Sequence, residues 1–180
     1  AAVPFGSHNA DDDGFKQSAG SLRAGWTFAP GWRLEGLLLQ SSGKTQIDDG
    51  PGADARAGLH NSVQSLQVGG PVLAAWRTQL ALGRSVDRYD TLSSASAFSS
   101  LGVIETDQQQ LAWENRIALP LGEALLVLER VNQDVSRPGT PFDVSSRHID
   151  ALATGWSALL GAHSLQASLR HDRNSQFGGQ

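Results

Sequence analysis

Between Glu105 and Gln133 the chain alternates in character with a period of two residues on both sides of a Pro-Leu-Gly turn. Leu111, Trp113, Ile117 and Leu119 share one phase with Asn115, while Gln108, Gln110, Ala112, Glu114 and Arg116 occupy the other. Successive strand residues point to opposite faces, so such a run has one greasy face and one charged face. Either the greasy face covers a core, or it meets lipid while the charged face meets water.

The same period recurs along the chain. Leu22, Ala24, Trp26 and Phe28 form one such phase; Trp76, Thr78, Leu80, Leu82 and Val86 form another. Leu152, Thr154, Trp156, Ala158 and Leu160 continue the series, followed by Leu165, Ala167 and Leu169. Eight strands are predicted, near 14–29, 32–47, 61–70, 75–90, 105–119, 124–135, 147–160 and 163–173, with no helix. Tight turns are expected at Ala29-Pro30-Gly31, Gly70-Pro71, Pro120-Leu121-Gly122 and Gly161-Ala162-His163, and longer loops around 48–60, 91–104 and 136–146. Short and long connections therefore alternate. In an antiparallel up-and-down sheet all short turns then gather at one end, an asymmetry that outer-membrane barrels share.

Trp26, Trp32, Trp76 and Trp156 all stand close to a short turn. Amphipathic rings collected at one level suggest an interfacial girdle. The competing reading makes them core anchors of a soluble sandwich, but soluble strands average about 5–6 residues and these runs are two to three times longer. Arg84 falls in the greasy phase. On a strand tilted by about 40° it lies roughly 20 Å above Trp76, near the edge of a belt about 25 Å tall, where arginine is tolerated better than at the midplane.

Charged residues make up 18% of the chain and the net charge is −4, which does not favour nucleic acid as a partner. Cysteine is absent, so disulfides and thiolate metal sites are excluded. No apolar run approaches the roughly 20 residues of a spanning helix, leaving a barrel as the route into a membrane. With neither a methionine nor a signal peptide, we expect an interior piece of a longer chain.

No catalytic motif emerges among the five histidines, and the chain is not expected to be an enzyme. His148 and Asp150 share a strand face near a loop; activity lost on changing His148 would indicate an outer-membrane hydrolase. The suggestive cluster is acidic. "NADDDGF" carries Asp11, Asp12 and Asp13, and "QIDDGPGADARAG" carries Asp48, Asp49 and Asp54, both at the long-loop end. Oxygen ligands from two loops suit calcium, which takes six to eight oxygens at about 2.3–2.6 Å. The first stretch is no EF-hand, since Asn9 and Gly20 stand where its first and last ligands belong. An acidic, glycine-terminated turn beside another acidic loop is the bland alternative.

The closing stretch "GAHSLQASLRHDRNSQFGGQ", from Arg170 through Asp172, Asn174, Ser175, Gln176, Phe177 and Gly178, resembles a phrase in the barrels of TonB-dependent receptors of the cobalamin (vitamin B12) transporter type. "DDDGF" before a strand and "VLERVNQ" (127–133) are similar to other stretches of those barrels in the same order. The resemblance implies a 22-stranded barrel closed by a plug and energised through TonB in the bacterial outer membrane. About eight consecutive strands of it would be present here, over residues 1–180, without the plug. It implies cobalamin or a related corrinoid as ligand, outer-membrane lipid as surroundings, and calcium held by loop aspartates. Carried over by position these are Asp11, Asp13, Asp48 and Asp54, with Asp12 and Asp49 as neighbours able to substitute. An iron–siderophore receptor of the same fold, and a complete small eight-stranded barrel with a structural or adhesion role, are the alternatives.

Overall fold

The computed structural model describes residues 12–48, 54–94, 102–139 and 141–179. Among these the chain is all-β: β1 (Phe15–Ala29), β2 (Trp32–Asp48), β3 (Asp54–Leu73), β4 (Trp76–Ser94), β5 (Gly102–Leu119), β6 (Gly122–Ser136), β7 (Ser146–Leu160), β8 (His163–Asn174) and a two-residue β9 (Gly178–Gly179). They form one antiparallel sheet in sequence order, each strand paired with its neighbours in the chain. Among the described residues no pairing joins β1 to β8 or β9, so the sheet is open and has two edges.

The eight long strands run from 12 residues in β8 to 20 in β3. The predicted alternation of connections holds. Residues 30–31, 74–75, 120–121 and 161–162 make two-residue turns, while 49–53, 95–101 and 137–145 link the opposite ends. Gly122 opens β6 with φ 91° in the left-handed region, and a Cβ there would fall 2.0 Å from the Ser157 carbonyl oxygen. Only glycine fits that corner.

Three sequence expectations need correction. The turn placed at Gly70-Pro71 lies at Ala74-Ala75, because Pro71 is absorbed into β3 opposite Arg77 at a bulge between Pro71 and Leu73. A bulge is one of the few strand positions where a missing N–H costs no ladder bond. The third strand begins at Asp54 instead of residue 61, since the small residues Ala55 and Ala57, each 1% exposed, pack tightly in the ladder without displaying an alternating pattern. The fourth and fifth strands likewise extend further toward their shared loop, to Ser94 and from Gly102.

The sheet has no core of its own. Among the described residues the buried apolar side chains are Ala55, Ala57, Ala151 and Ala158, whereas Trp26 is 66% exposed and Leu22, Leu169 and Leu152 are exposed as well. A soluble domain of this size would bury most of such residues.

Candidate functional site

Cross-strand register assigns every side chain to one of two faces. A single unbroken row on one face runs Trp26, Leu34, Val68, Leu80, Trp113, Leu128 and Leu152 over seven strands. Around it lie Leu22, Leu38, Leu66, Leu82, Leu111, Ile117, Leu126, Trp156, Leu165 and Leu169, which together form an apolar belt. Toward the long loops the same face turns polar, with Gln40, Gln64, Arg84, Gln109, Arg130, Asp150 and His171.

The upper border of this belt is inclined to the hydrogen-bonded rows. It stands at Leu22 on β1, whose row reaches β7 at His148, and at Leu169 on β8, whose row crosses β7 at Thr154. Those rows are six residue positions apart on β7. At about 3.4 Å per residue and about 4.8 Å per strand step, the border slopes by roughly 30° across the seven steps from β1 to β8. The turn-side border slopes the same way, since Trp26, Trp32, Trp76 and Trp156 stand on successively lower or equal rows.

Several polar atoms inside the belt are paired locally. Trp113 Nε1 donates to Thr78 Oγ1 at 2.8 Å, while Thr78 Oγ1 (3.1 Å) and Trp76 Nε1 (2.9 Å) both donate to Asn115 Oδ1. Asn115 is 3% exposed, and its Nδ2 has no hydrogen-bond partner among the described residues. Trp156 Nε1 donates to the Leu121 carbonyl at 2.8 Å. At the first turn Phe28 bridges Trp26 and Trp32, with ring centroids 5.6 and 6.3 Å apart. The Trp32 indole occupies the space over Gly70 that a Cβ would fill. Arg84, which falls in the β4 greasy phase, makes a bidentate pair with Asp107 of β5, Nη2 to Oδ2 being 2.6 Å.

The other face carries a charge ladder near the two-residue turns. Glu35 accepts from Arg23, Arg33 and Gln67, and Gln67 Oε1 accepts from Gln79. Arg116 pairs with Glu114 at 2.6 Å and Glu123 at 3.2 Å. Arg170 of β8 reaches over β7 to Glu129 of β6 at 3.2 Å, a span left clear by Ala151 and Ala153. Arg33, Glu35, Gln67, Glu114 and Arg116 border an open hollow of about 370 Å³. Its groups suit ion pairs and hydrogen bonds with a polar segment and include no nucleophile activated by a base.

Of the predicted calcium ligands, Asp48 and Asp54 are brought opposite each other as the last register pair of β2 and β3. Asp13 is delivered to the same rim. Next to it, the Gly14 carbonyl accepts from Gln46 N at 2.9 Å and Gly14 N donates to Gln46 Oε1 at 3.1 Å. Asp11 and Asp49 lie outside the described residues. Among the described residues no group of three His, Asp or Glu side chains is placed to hold a metal ion. His148 and Asp150 share the belt face, but the Ser175 hydroxyl accepts from the His148 backbone N–H at 3.0 Å and so serves the β7–β8 ladder. Compared with known proteins, the chain matches no family model and no curated protein.

Proposed function

We propose that the chain forms part of the wall of an outer-membrane β-barrel, with the apolar belt toward lipid and the charge ladder toward a water-filled interior. The inclined belt is the observation that carries this reading. Strands of membrane barrels tilt by about 35–45° from the barrel axis, so a membrane plane cuts their hydrogen-bonded rows at the same angle. A slope of roughly 30° is close to that geometry. Sheet edges and backbone loops are excluded from the hydrocarbon, which fits two-residue turns that end immediately below the tryptophans.

Within that class the particular reading is a TonB-dependent active transport receptor that binds cobalamin or a related corrinoid at extracellular loops and imports it with TonB-derived energy. It rests on the closing motif Arg170–Gly178 and on the aspartate rim. A siderophore receptor of the same fold is the nearest competitor. Cobalamin binding by the protein in detergent, with calcium and with chelator, tests the assignment. Tight binding weakened by chelator and by Asp48→Ala/Asp54→Ala supports both ligand and calcium. Binding indifferent to calcium removes the aspartate site, and no binding removes cobalamin.

A further inference from the structure

The belt's upper border is neutral or internally paired on most strands, but not on β6–β8. There Arg130, Asp150 and Arg173 stand side by side in register, on the row immediately above Leu128 and Leu152. Arg130 Nη1 lies 3.5 Å from Asp150 Oδ1, a looser contact than the 2.6 Å Arg84–Asp107 pair, and Arg130 Nε also donates to Asn132 at 3.3 Å. Arg173 stands in register beside Asp150 on β8, so this row holds two guanidiniums and one carboxylate, one positive charge in excess. His171 and His148, also on this face, flank the group beside Leu152 and Asn132. Side chains of Arg130 and Asp150 are 52% and 47% exposed, so both remain accessible from outside the sheet.

We infer that Arg130 and Arg173 form a docking site for an anionic lipid, gripping the headgroup phosphate while an acyl chain descends over Leu128 toward Trp113. The inference rests on the membrane reading, and three features support it. An excess of one positive charge matches a singly charged phosphodiester. Guanidinium forks pair phosphate oxygens in a bidentate manner. The site also sits on the belt's border, the level where a phosphate is found when its chains are in the hydrocarbon. Leu128 and Trp113 are register partners, so one continuous apolar track leads down from Arg130.

Brominated lipids quench tryptophan on contact, so a protein in which Trp26, Trp32, Trp76 and Trp156 are changed to phenylalanine keeps Trp113 as its one reporter. The protein is reconstituted in phosphatidylcholine vesicles carrying either brominated phosphatidylglycerol or brominated phosphatidylcholine. Quenching by both lipids is expected, with phosphatidylglycerol preferred. Arg130→Gln and Arg173→Gln should each reduce that preference about fivefold, equivalent to the roughly 1 kcal/mol one basic residue gains at an anionic surface. Arg147→Gln removes the same charge from the opposite face, where Arg147 pairs with Gln133, and should leave the preference unchanged. Equal affinity for the two lipids, or an equal loss in Arg147→Gln, overturns the site while keeping the membrane wall. Quenching by neither lipid overturns the membrane reading and the site together.

Discussion

Arg84 and Asp107 close a bidentate ion pair across β4 and β5 on the face that otherwise carries the apolar belt, with Arg84 Nε within 3.1 Å of both carboxylate oxygens. On the membrane reading proposed above, a lone arginine at the border of the belt would need to reach water by itself. Asp107→Ala should therefore destabilise the folded protein in vesicles more than the double change Arg84→Leu/Asp107→Leu, which removes both charges. Urea unfolding of the two variants decides it; equal losses would mean that Arg84 is already fully hydrated.

Asn115 is an acceptor for two other belt side chains. Asn115→Ala leaves the Trp76 indole N–H without its acceptor, at a cost of about 1–3 kcal/mol, whereas the Thr78 hydroxyl keeps the Glu114 carbonyl oxygen at 3.3 Å. A stability loss of about 1–3 kcal/mol is expected, together with a change in tryptophan fluorescence. A loss near zero would show that the indole finds another acceptor.

Gly70 yields its side-chain space to the Trp32 ring. Gly70→Ala forces the indole aside and should cost about 1–3 kcal/mol, as overpacking does. Adding Trp32→Ala should recover much of that loss. A Gly70→Ala protein as stable as the parent would place the indole elsewhere.

Gly122 tests the hairpin geometry separately from packing. Replacing it with alanine demands a left-handed backbone from a residue that disfavours it, and it drives Cβ into the Ser157 carbonyl. The expected loss, at least about 1 kcal/mol, should exceed that of Gly161→Ala, where φ is 62° and a Cβ meets nothing within 4 Å. Equal losses would leave backbone strain as the only cost.

Much of the fold was legible because a two-residue period survives in sequence: the phases holding Trp113 and Leu111, or Leu80 and Leu82, fall on the belt as expected. Pro71 misled because a Gly-Pro pair signals a turn, whereas the actual corner, Ala74-Ala75, carries no turn chemistry. Ala55 and Ala57 hid the start of β3 because two alanines flanking an arginine do not distinguish a core face from a solvated one. Register was the missing quantity. Asp107 could be seen in the greasy phase, yet only the β4–β5 alignment brings it beside Arg84, and only alignment over all eight strands reveals the slope of the belt. The Asp48–Asp54 pairing was hidden as well, since the sequence left both residues in a loop at 48–60 and only the β2–β3 register sets them opposite each other.

The unequal connections give the two ends of the sheet different freedom to change. One residue inserted into a two-residue turn would slip the following strand and exchange its belt-face residues with those of the opposite face, a change the belt could not absorb. The segments at 49–53, 95–101 and 137–145 join strands whose last pairs can lengthen or shorten without disturbing the rows below. Sequence novelty can therefore accumulate at the rim where Asp13, Asp48 and Asp54 stand while the other stays fixed.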